Sequence, residues 1–505
     1  MLRNIKLIYY ALIFSFINLI LYQFPFYNFI FNNIEATSAN GIFLIISITI
    51  AALFLNGLVF YIGLYLLRSV GKWILVLFFN INAIAVYFIN TYGVIIDKTM
   101  IGNILNTRYE ESSSYLSLGL FVYVILLGVL PSILVFKIKH VKVKFKYFLI
   151  HISLILVFLL TLVYASATNW LWIDKNSKTL GGLVMPWCYV VNTNRYILHK
   201  NEQNKKQILL PNATIKNNEK SIAVLVIGES ARSSNFSLYG YEKNTNPLLS
   251  KIENIHHYNA ESCATYTTAG VKCILDHKHT GTLFEILPNY LFRNGVDVFW
   301  RTTNWGEPTV NIKSYQKKGA LHALCEGERC KYDEVLINGL RSQILASKKN
   351  KILVVLHTST SHGPTYYKKY PKEFNKFTPV CKSVELANCT QEELINAYDN
   401  TIVYTDFILA SLIEELKRLD DYKTSMIYIS DHGESLGENN LYMHGIPASI
   451  APKEQLEIPF IVWVSEDSRK FKKKKELSQH NVFHSVLDFL DVKSAVYDKD
   501  MSVFK

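Results

Sequence analysis

Cysteine is missing from the first 187 residues of this 505-residue chain, and six of its seven cysteines lie after residue 260. The first third therefore has no thiols for disulfides or for cysteine-bound metal. The later six form three sequence-near pairs: Cys263 and Cys273, Cys325 and Cys330, and Cys381 and Cys389. Because no pair has the CxxC spacing of a zinc ribbon, we predict three local disulfides in an oxidising, exported region. Cys188 is left over, and we assign it no role.

Charged residues are scarce within the long apolar runs of the first third. The runs are Leu7–Phe31, Gly41–Leu67, Trp73–Ile96, Leu118–Phe136 and Tyr147–Ala167. Each is long enough to cross a bilayer, so we predict five membrane-spanning helices without invoking a cleavable signal peptide. The low charge inside the runs disfavours a transporter, or a sensor with an exported binding domain, because buried charges mark such pathways.

Lysine and arginine are absent from the loop Asn32–Asn40 and few between Asp97 and Ser117. They concentrate instead in three other loops, as Arg3, Lys6, Arg68, Lys72, Lys137, Lys139, Lys142, Lys144 and Lys146. Positively charged loops stay cytoplasmic, so an odd number of spans places everything after Thr168 outside the cytoplasm. The net charge of +12 partly reflects this topology, and since no base-reading module accompanies it, we expect no nucleic-acid partner.

Short apolar runs alternate with helical patterns from Ser221 onward. Strands are expected at Ile222–Ile227, Val296–Trp300, Ile352–His357, Met426–Ser430 and Phe460–Val464, and helices at about Leu283–Asn294, Glu334–Ala346, Gln391–Leu419 and Gln479–Leu490. This alternation predicts an α/β domain with a mainly parallel sheet flanked by helices and an active site at the strands' carboxyl ends. We therefore expect a membrane domain at 1–168 with an outer helical loop at about 97–117, interfacial helices and a linker at 169–220, and an exported domain at 221–505.

Acidic and imidazole side chains directly follow two of the expected strands. Glu229 follows the first strand, while Asp431 and His432 follow the fourth in the stretch SMIYISDHGESLGE. Parallel strands bring their carboxyl ends together, so these side chains can meet around a divalent metal. A polar turn would explain an isolated Asp-His pair, but two strand ends that both offer ligands favour a metal.

A hydroxyl-rich loop, CATYTTAGVKC, lies between Cys263 and Cys273 and leads into an expected helix. A helix N-terminus stabilises developing negative charge, and a metal lowers the pKa of a hydroxyl, so a threonine here could be a nucleophile. Thr265, Thr267 and Thr268 are all candidates on spacing, and helix capping is the alternative role.

Three histidines lie near further strand ends or the Asp-His motif. They are His357 and His362 in LHTSTSHGP and His444 in YMHGIP. Histidines in these places could bind a substrate phosphate, protonate a leaving group or form a second metal site. Lys318 in QKKG could pair with a phosphate or be ordinary surface charge.

The outer helical loop carries a polar repeat every four residues. Its members Asn103, Thr107 and Glu111 would share one face of a helix. That face could meet a lipid headgroup, or it could simply be solvated.

Taken together, the motifs resemble those of the phosphoethanolamine transferases of Gram-negative bacteria. In chain order they are GESAR, FSLYGYEKNTNP, the Cys-Thr-Cys loop, HGPTYYKKYP, the YDN-containing helix, SDHGESLGE and HGIPASIAPKEQ. The family that these motifs resemble belongs to the alkaline phosphatase and sulfatase superfamily and includes colistin (polymyxin) resistance enzymes. The resemblance covers nearly the whole chain, including five spans followed by an exported domain.

The resemblance implies a role for each candidate residue. It implies zinc held by Glu229, Thr267, Asp431 and His432, and it selects Thr267 as the nucleophile. It associates His357, His362, His444 and Lys318 with substrate phosphate or additional zinc, and Asn103, Thr107 and Glu111 with the ethanolamine headgroup. The three cysteine pairs correspond to family disulfides, although some members have more.

The activity implied by this resemblance is a two-step transfer at the bacterial inner membrane, with the catalytic domain in the periplasm. Thr267 attacks phosphatidylethanolamine, diacylglycerol leaves, and the bound phosphoethanolamine passes to lipid A of lipopolysaccharide or lipooligosaccharide, or to other surface glycans or proteins. His362 or His444 would assist proton transfer, one zinc would bind tightly, and a second would lie near these histidines. We expect a monomer. The nearest alternative is a phosphoglycerol transferase or a membrane-tethered sulfatase or phosphatase on the same fold.

Overall fold

Two units divide the chain, Met1–Lys200 and Asn201–Lys505. This computed structural model describes residues 5–34, 38–106, 112–113, 115–166, 172–173, 176–203, 207–384, 386–465, 470–473 and 476–505. The first unit is helical, whereas the second is built around one large sheet.

Apolar helices make up most of the first unit. The described helices are α1 (Leu7–Tyr22), α2 (Phe24–Asn33), α3 (Ala39–Leu67), α4 (Ser69–Tyr92), α5 (Lys98–Asn106), α6 (Leu118–Lys137), α7 (Phe145–Ala165), α8 (Ser177–Leu183) and α9 (Trp187–Gln203). Four of them, α3, α4, α6 and α7, are long and apolar enough to cross a membrane. The bent pair α1 and α2 passes the same test only if it is counted as one span, so the described helices provide four spans or up to five, and the sequence predicts five.

The first predicted span is broken at Gln23, where α1 and α2 meet at a bend of 64°. Pro25 lies in the first turn of α2, where proline is tolerated, but it cannot continue the hydrogen-bond ladder of α1. The buried side chain of Gln23 supports the bend by donating to Met185 O (2.6 Å) and Asn18 Oδ1 (2.9 Å). A break within an apolar run needs such internal partners, because lipid offers none.

An eight-stranded sheet forms the centre of the second unit. Its strands are β1 (Ser221–Gly228), β2 (Ile255–Glu261), β3 (Asp297–Thr302), β4 (Ser314–Lys317), β5 (Lys351–His357), β6 (Lys423–Ser430), β7 (Glu457–Val464) and β8 (Glu476–Ser478). The order across the sheet is β8-β2-β7-β6-β1-β5-β3-β4, and every pairing is parallel except the two made by β7. The mainly parallel sheet predicted from the sequence is therefore confirmed, with one reversed strand.

Helices pack against this sheet. The described helices are α10 (Thr267–Leu275), α11 (Leu287–Arg293), α12 (Lys318–His322), α13 (Leu340–Leu345), α14 (Gln391–Lys417) and α15 (Asn481–Phe489). Residues of α10, α11 and α15 share one hydrophobic core with alternate residues of β1, among them Leu225 and Ile227. Three disulfides join Cys263–Cys273, Cys325–Cys330 and Cys381–Cys389, as predicted. Cys188 is a buried free thiol.

The segment before β1 packs on the second unit from Gln207 onward. Leu210 belongs to the hydrophobic core, and Thr214–Ile215 pairs with Val492–Lys493 in a short antiparallel ladder. The part of the predicted linker described here thus contributes to the α/β unit. The domain limits at 168 and 220 stay predictions.

Candidate metal and nucleophile site

The carboxyl ends of β1 and β6 bring Glu229 and Asp431 together, because Gly228 is paired with Ser430. Both carboxylates are at most 1% exposed. Between them, Ser230 adopts a φ of +51°, which is uncommon for a residue other than glycine. Its N–H donates to Asp431 Oδ1 (3.0 Å) and its carbonyl accepts from the Tyr398 hydroxyl (2.7 Å). These bonds hold the strained turn and connect the two strand ends.

His432 turns its Nε2 atom toward both carboxylates. Nε2 lies 3.6 Å from Glu229 Oε1 and 3.4 Å from Asp431 Oδ2. On the other side of the ring, Nδ1–H donates to the carbonyl of Gly433 (2.8 Å). A histidine whose Nδ1 proton is held by a backbone carbonyl keeps Nε2 as a lone-pair donor, the form required of a metal ligand.

The electrostatics of this cluster also favour a cation. Asp431 Oδ2 is buried and has no hydrogen-bond partner among the described residues. Burial, together with the charge of Glu229, raises the pKa of Asp431 well above its usual range. Burial alone would also raise the pKa of Glu229, but His362, His432 and His444 hold it below its usual range. One ligand atom from each of Glu229, Asp431 and His432 lies within 4.8 Å of the others, so the three fit a divalent metal such as zinc.

Thr267 is the hydroxyl that the fold brings to this cluster. It is the first residue of α10, is buried, and its Oγ1 lies 3.4 Å from His432 Nε2. Thr265 instead donates its hydroxyl to the carbonyl of Ile446 (2.5 Å). The geometry therefore favours Thr267 over Thr265.

Two glycines allow the backbone to come close around Thr267. A β carbon at Gly270 of α10 would overlap the carbonyl oxygen of Asp431, so the helix rests directly on the metal-ligand turn. Gly306, with a φ of +105°, would place a β carbon 3.0 Å from Thr267 Cγ2. The loop after β3 therefore confines Thr267, and the helix that Thr267 begins is held close to Asp431.

His444 lies beside His432 and is oriented by a buried carboxyl group. Its Nδ1 is 2.8 Å from Glu434 Oε2, and the Tyr366 hydroxyl donates to Glu434 Oε1 (2.6 Å). Burial raises the pKa of Glu434 to about 7. The imidazole ring of His444 is 4.3 Å from that of His432 and 5.3 Å from that of His362, measured between centroids.

Two further groups of metal-ligating side chains occur in this region. One consists of Glu229, His362 and His444, and the other of His432, Glu434 and His444. They lie where the sequence predicts a second metal, whose presence stays a prediction.

The remaining predicted residues lie in different surroundings. His357 ends β5, is fully buried and places its Nδ1 3.6 Å from Glu307 Oε2, which makes it part of an internal pair. Lys318 begins α12 directly after β4 and is half-buried. Asn103 is on α5 of the first unit and is half-buried. Thr107 and Glu111 lie outside the described residues.

Three site residues were missed by sequence reasoning. Asn304 donates to Glu229 Oε2 (2.6 Å) and to the carbonyl of Thr358 (2.8 Å), while Glu434 and Tyr366 orient His444. Glu229 and Asp431 were identified because they follow the carboxyl end of an apolar strand. Asn304 follows the end of β3 and would have been found in the same way if neutral amides had been considered. Glu434 is in the same motif as Asp431 and His432.

Comparisons with known proteins identify the family. Residues 53–201 match the family model described as phosphoethanolamine transferase EptA/EptB, and residues 221–492 match the sulfatase model. The chain is 40% identical to phosphoethanolamine transferase EptA of Helicobacter pylori over 519 aligned positions, which cover 98% of this chain and 95% of the relative. The chain belongs to the phosphoethanolamine transferase family. The resemblance found in its motifs is confirmed.

Solved structures agree with this assignment. The integral membrane lipooligosaccharide phosphoethanolamine transferase A of Neisseria meningitidis matches with a TM-score of 0.87 and 25% identity over 99% of both chains. The C-terminal periplasmic domain of EptC from Campylobacter jejuni is 37% identical, with a TM-score of 0.53, and covers 59% of this chain and 97% of that domain. A helical membrane domain followed by an α/β domain is therefore the family architecture.

Replacing Gly270 by alanine should push α10 away from the Asp431 turn. Overpacking of this kind costs about 1–3 kcal/mol, so we expect thermal unfolding of the purified full chain to begin at a lower temperature. Gly281→Ala is the matched control, because a β carbon there meets no atom within 4 Å. Equal melting curves for both variants and the parent would contradict the close packing of Gly270.

Replacing Tyr366 by phenylalanine should slow phosphoethanolamine transfer about tenfold, because loss of a donor to a buried acceptor costs about 1–3 kcal/mol. The ring remains, so only the hydroxyl that holds Glu434 behind His444 is lost. Tyr367→Phe, at the neighbouring half-buried tyrosine, is the control and should keep the parental rate. A parental rate for Tyr366→Phe, measured with purified protein, would show that this hydroxyl does not support His444.

Proposed function

We propose that this protein transfers phosphoethanolamine from phosphatidylethanolamine to lipid A through a covalent intermediate on Thr267. The observation that carries the proposal is the position of Thr267 Oγ1, 3.4 Å from His432 Nε2 beside a buried cluster of three metal ligands. The names of relatives support the acceptor, since the Neisseria meningitidis enzyme is described as acting on lipooligosaccharide. A relative from Salmonella typhimurium, 29% identical over 50% of this chain, is named Kdo(2)-lipid A phosphoethanolamine 7''-transferase.

In the first step, Thr267 Oγ1 forms a bond to phosphorus while the bond from phosphorus to the diacylglycerol oxygen breaks. Thr267 is at the N-terminus of α10, where unpaired backbone N–H groups and the helix dipole favour negative charge. In the second step, an oxygen of the acceptor phosphate attacks the same phosphorus and Thr267 Oγ1 leaves. In the first step the hydroxyl proton of Thr267 passes, through a neighbouring group that takes up and releases protons, to the diacylglycerol oxygen. In the second step the proton of the acceptor returns to Thr267 Oγ1.

Glu229, Asp431 and His432 would hold zinc together with Thr267. When bound, zinc lowers the pKa of the threonine hydroxyl and offsets charge on the transferred group. Asn304 keeps Glu229 oriented, and the backbone N–H groups of Ser230 and His432 keep Asp431 oriented. His444 has one ring nitrogen held by Glu434, which suits it to deliver a proton to diacylglycerol, with His362 as its neighbour.

The membrane helices would keep this domain at the bilayer surface, where the donor and the acceptor are both found. We place the protein in the inner membrane with its catalytic domain in the periplasm, following the distribution of lysine and arginine. We propose that Asn103, Thr107 and Glu111 contact the ethanolamine headgroup and that Lys318 contacts the phosphate, whereas His357 is buried beside Glu307 and is not proposed as a direct phosphate contact. Transfer to lipid A would reduce its negative charge and lower its attraction for polymyxins.

A hydrolase is the second candidate, because residues 221–492 match the sulfatase model. Such an enzyme would form the same threonine adduct but release it to water. The two reactions share the first step and differ in what accepts the group.

Thr267→Ala should abolish transfer and leave no modified threonine. Intact-mass measurement and peptide mapping of the parent protein should find the mass increment of one phosphoethanolamine group, on Thr267. Thr268→Ala is the matched control and should keep both the increment and polymyxin resistance in cells. Full lipid A modification by Thr267→Ala, or an increment on Thr265 or Thr268, would contradict the assignment of the nucleophile. Release of the increment to water in the presence of lipid A would favour the hydrolase.

Reporter fusions should show the catalytic domain outside the cytoplasm. An alkaline phosphatase fused after Lys505 should be active, and one fused after His140, in the basic loop before α7, should be inactive. Fusions of a fluorescent protein that folds only in the cytoplasm should give the reverse pattern. An inactive phosphatase after Lys505, with the fusion expressed at full length, would overturn the proposed topology.

A further inference from the structure

Gln479 lies between β8 and α15, and its fully buried side chain joins two segments of the active site. Its Oε1 accepts a hydrogen bond from Cys263 N–H (3.1 Å). Its Nε2 donates to the carbonyl of Asp431 (2.7 Å) and to the carbonyl of Ser430 (3.1 Å). Both amide protons and the amide oxygen are therefore used.

The orientation of the Gln479 amide follows from its partners. Cys263 offers a donor, and Ser430 and Asp431 offer only acceptors. Rotating the amide by half a turn would place its N–H groups against an N–H and its oxygen against two carbonyl oxygens. Only an amide in this orientation satisfies all three backbone groups, and a carboxylate cannot.

The two segments joined by Gln479 carry the proposed nucleophile and a metal ligand. Cys263 begins the disulfide-closed loop that leads to Thr267, and Asp431 is the carboxylate at the end of β6. The Asp431 carbonyl, to which Gln479 donates, is also the atom against which Gly270 of α10 packs. The helix that begins with Thr267 thus meets the Asp431 turn at the point where Gln479 holds that turn.

We infer that Gln479 is a positioning residue that sets the spacing between Thr267 and the Asp431–His432 side of the metal site. It acts through the backbones of Cys263 and Asp431 and touches neither the metal nor the substrate. The inference rests on the proposed function of Thr267 and its metal. Gln479 is a neutral residue, 216 positions from Cys263 and 48 from Asp431 along the chain, so only the fold brings it to the site.

Gln479→Glu tests this inference with a side chain of the same shape. The variant keeps an acceptor for Cys263 but loses both donors and turns a carboxylate oxygen toward two carbonyl groups. Loss of an outer hydrogen bond to a metal site typically costs about 10–100-fold in metal affinity or activity. We therefore expect zinc affinity, measured on the full chain by chelator competition, to fall by that factor, and kcat to fall with little change in KM for phosphatidylethanolamine.

Two other variants make the result specific. Gln343→Glu is the matched control, because this glutamine on α13 donates to Ser314 Oγ (2.9 Å) at the amino end of β4 and should leave zinc affinity and kcat unchanged. Gln479→Met has similar volume and no charge, and it should lower zinc affinity in the same direction. It is the decisive variant if Gln479→Glu does not fold.

Parental zinc affinity and kcat in either folded Gln479 variant would overturn the inference. Failure of both variants to fold, while Gln343→Glu folds, would also overturn it and make Gln479 a residue of general stability. The proposed function fails separately, through full transfer by Thr267→Ala. If Thr267→Ala is inactive while the Gln479 variants behave as the parent, only the positioning role is lost.

Discussion

The parallel pairing of β1 with β6 places two buried carboxylates side by side, and much of the site follows from that. Glu229 and Asp431 follow paired residues at adjacent strand ends, so neither can move away without loss of the central ladder. Two buried negative charges at such short range repel each other strongly unless a cation lies between them. Asp431 Oδ2, which has no hydrogen-bond partner within the described part of the chain, and the Nε2 atom of His432 both point into that space. The strand order therefore brings together the groups of a candidate metal site.

Membrane spans and central strands could be predicted because each depends on a local run of residues. The strands β1, β5 and β6 are almost continuous apolar runs that are buried on both faces, a pattern that few other structures produce. The strands β2, β4 and β8 were missed because they are polar or short, and they lie toward the edges of the sheet. The reversed direction of β7 depends on how the chain connects and has no signature within the strand.

The bend at Gln23 shows a second limit on what can be predicted from the sequence. The run from Leu7 to Phe31 is apolar throughout, and composition alone describes it as one straight span. Pro25 gave a local signal for a break, but the bend is stabilised by the backbone of Met185, far away along the chain. A partner of that kind can be recognised only once the fold is known.

Charge alone did not make a candidate site residue predictable, because Glu434 is ionisable and was missed. Glu229, Asp431 and His432 were found because charged or imidazole side chains directly after an apolar strand call for an explanation. Spacing left Thr265, Thr267 and Thr268 equivalent, the resemblance to a family selected Thr267, and the geometry distinguishes it from Thr265. Asn304, Tyr366 and Gln479 carry no charge, and their importance comes from partners distant in sequence.

That difference reflects a division of roles within the site. The charged groups would supply affinity for a metal and for phosphate. A carboxylate or an imidazole can adopt many orientations, however, unless its second oxygen or nitrogen atom is also hydrogen-bonded. Here each second atom has a neutral partner: Asn304 for Glu229, the backbone N–H groups of Ser230 and His432 for Asp431, and the Gly433 carbonyl for His432. Hydrogen bonds to neutral groups direct these ligands without adding a competing charge to the site. Because the neutral partners come from the loops after β1, β3 and β6, the geometry of the candidate metal site depends on three strand ends rather than on one.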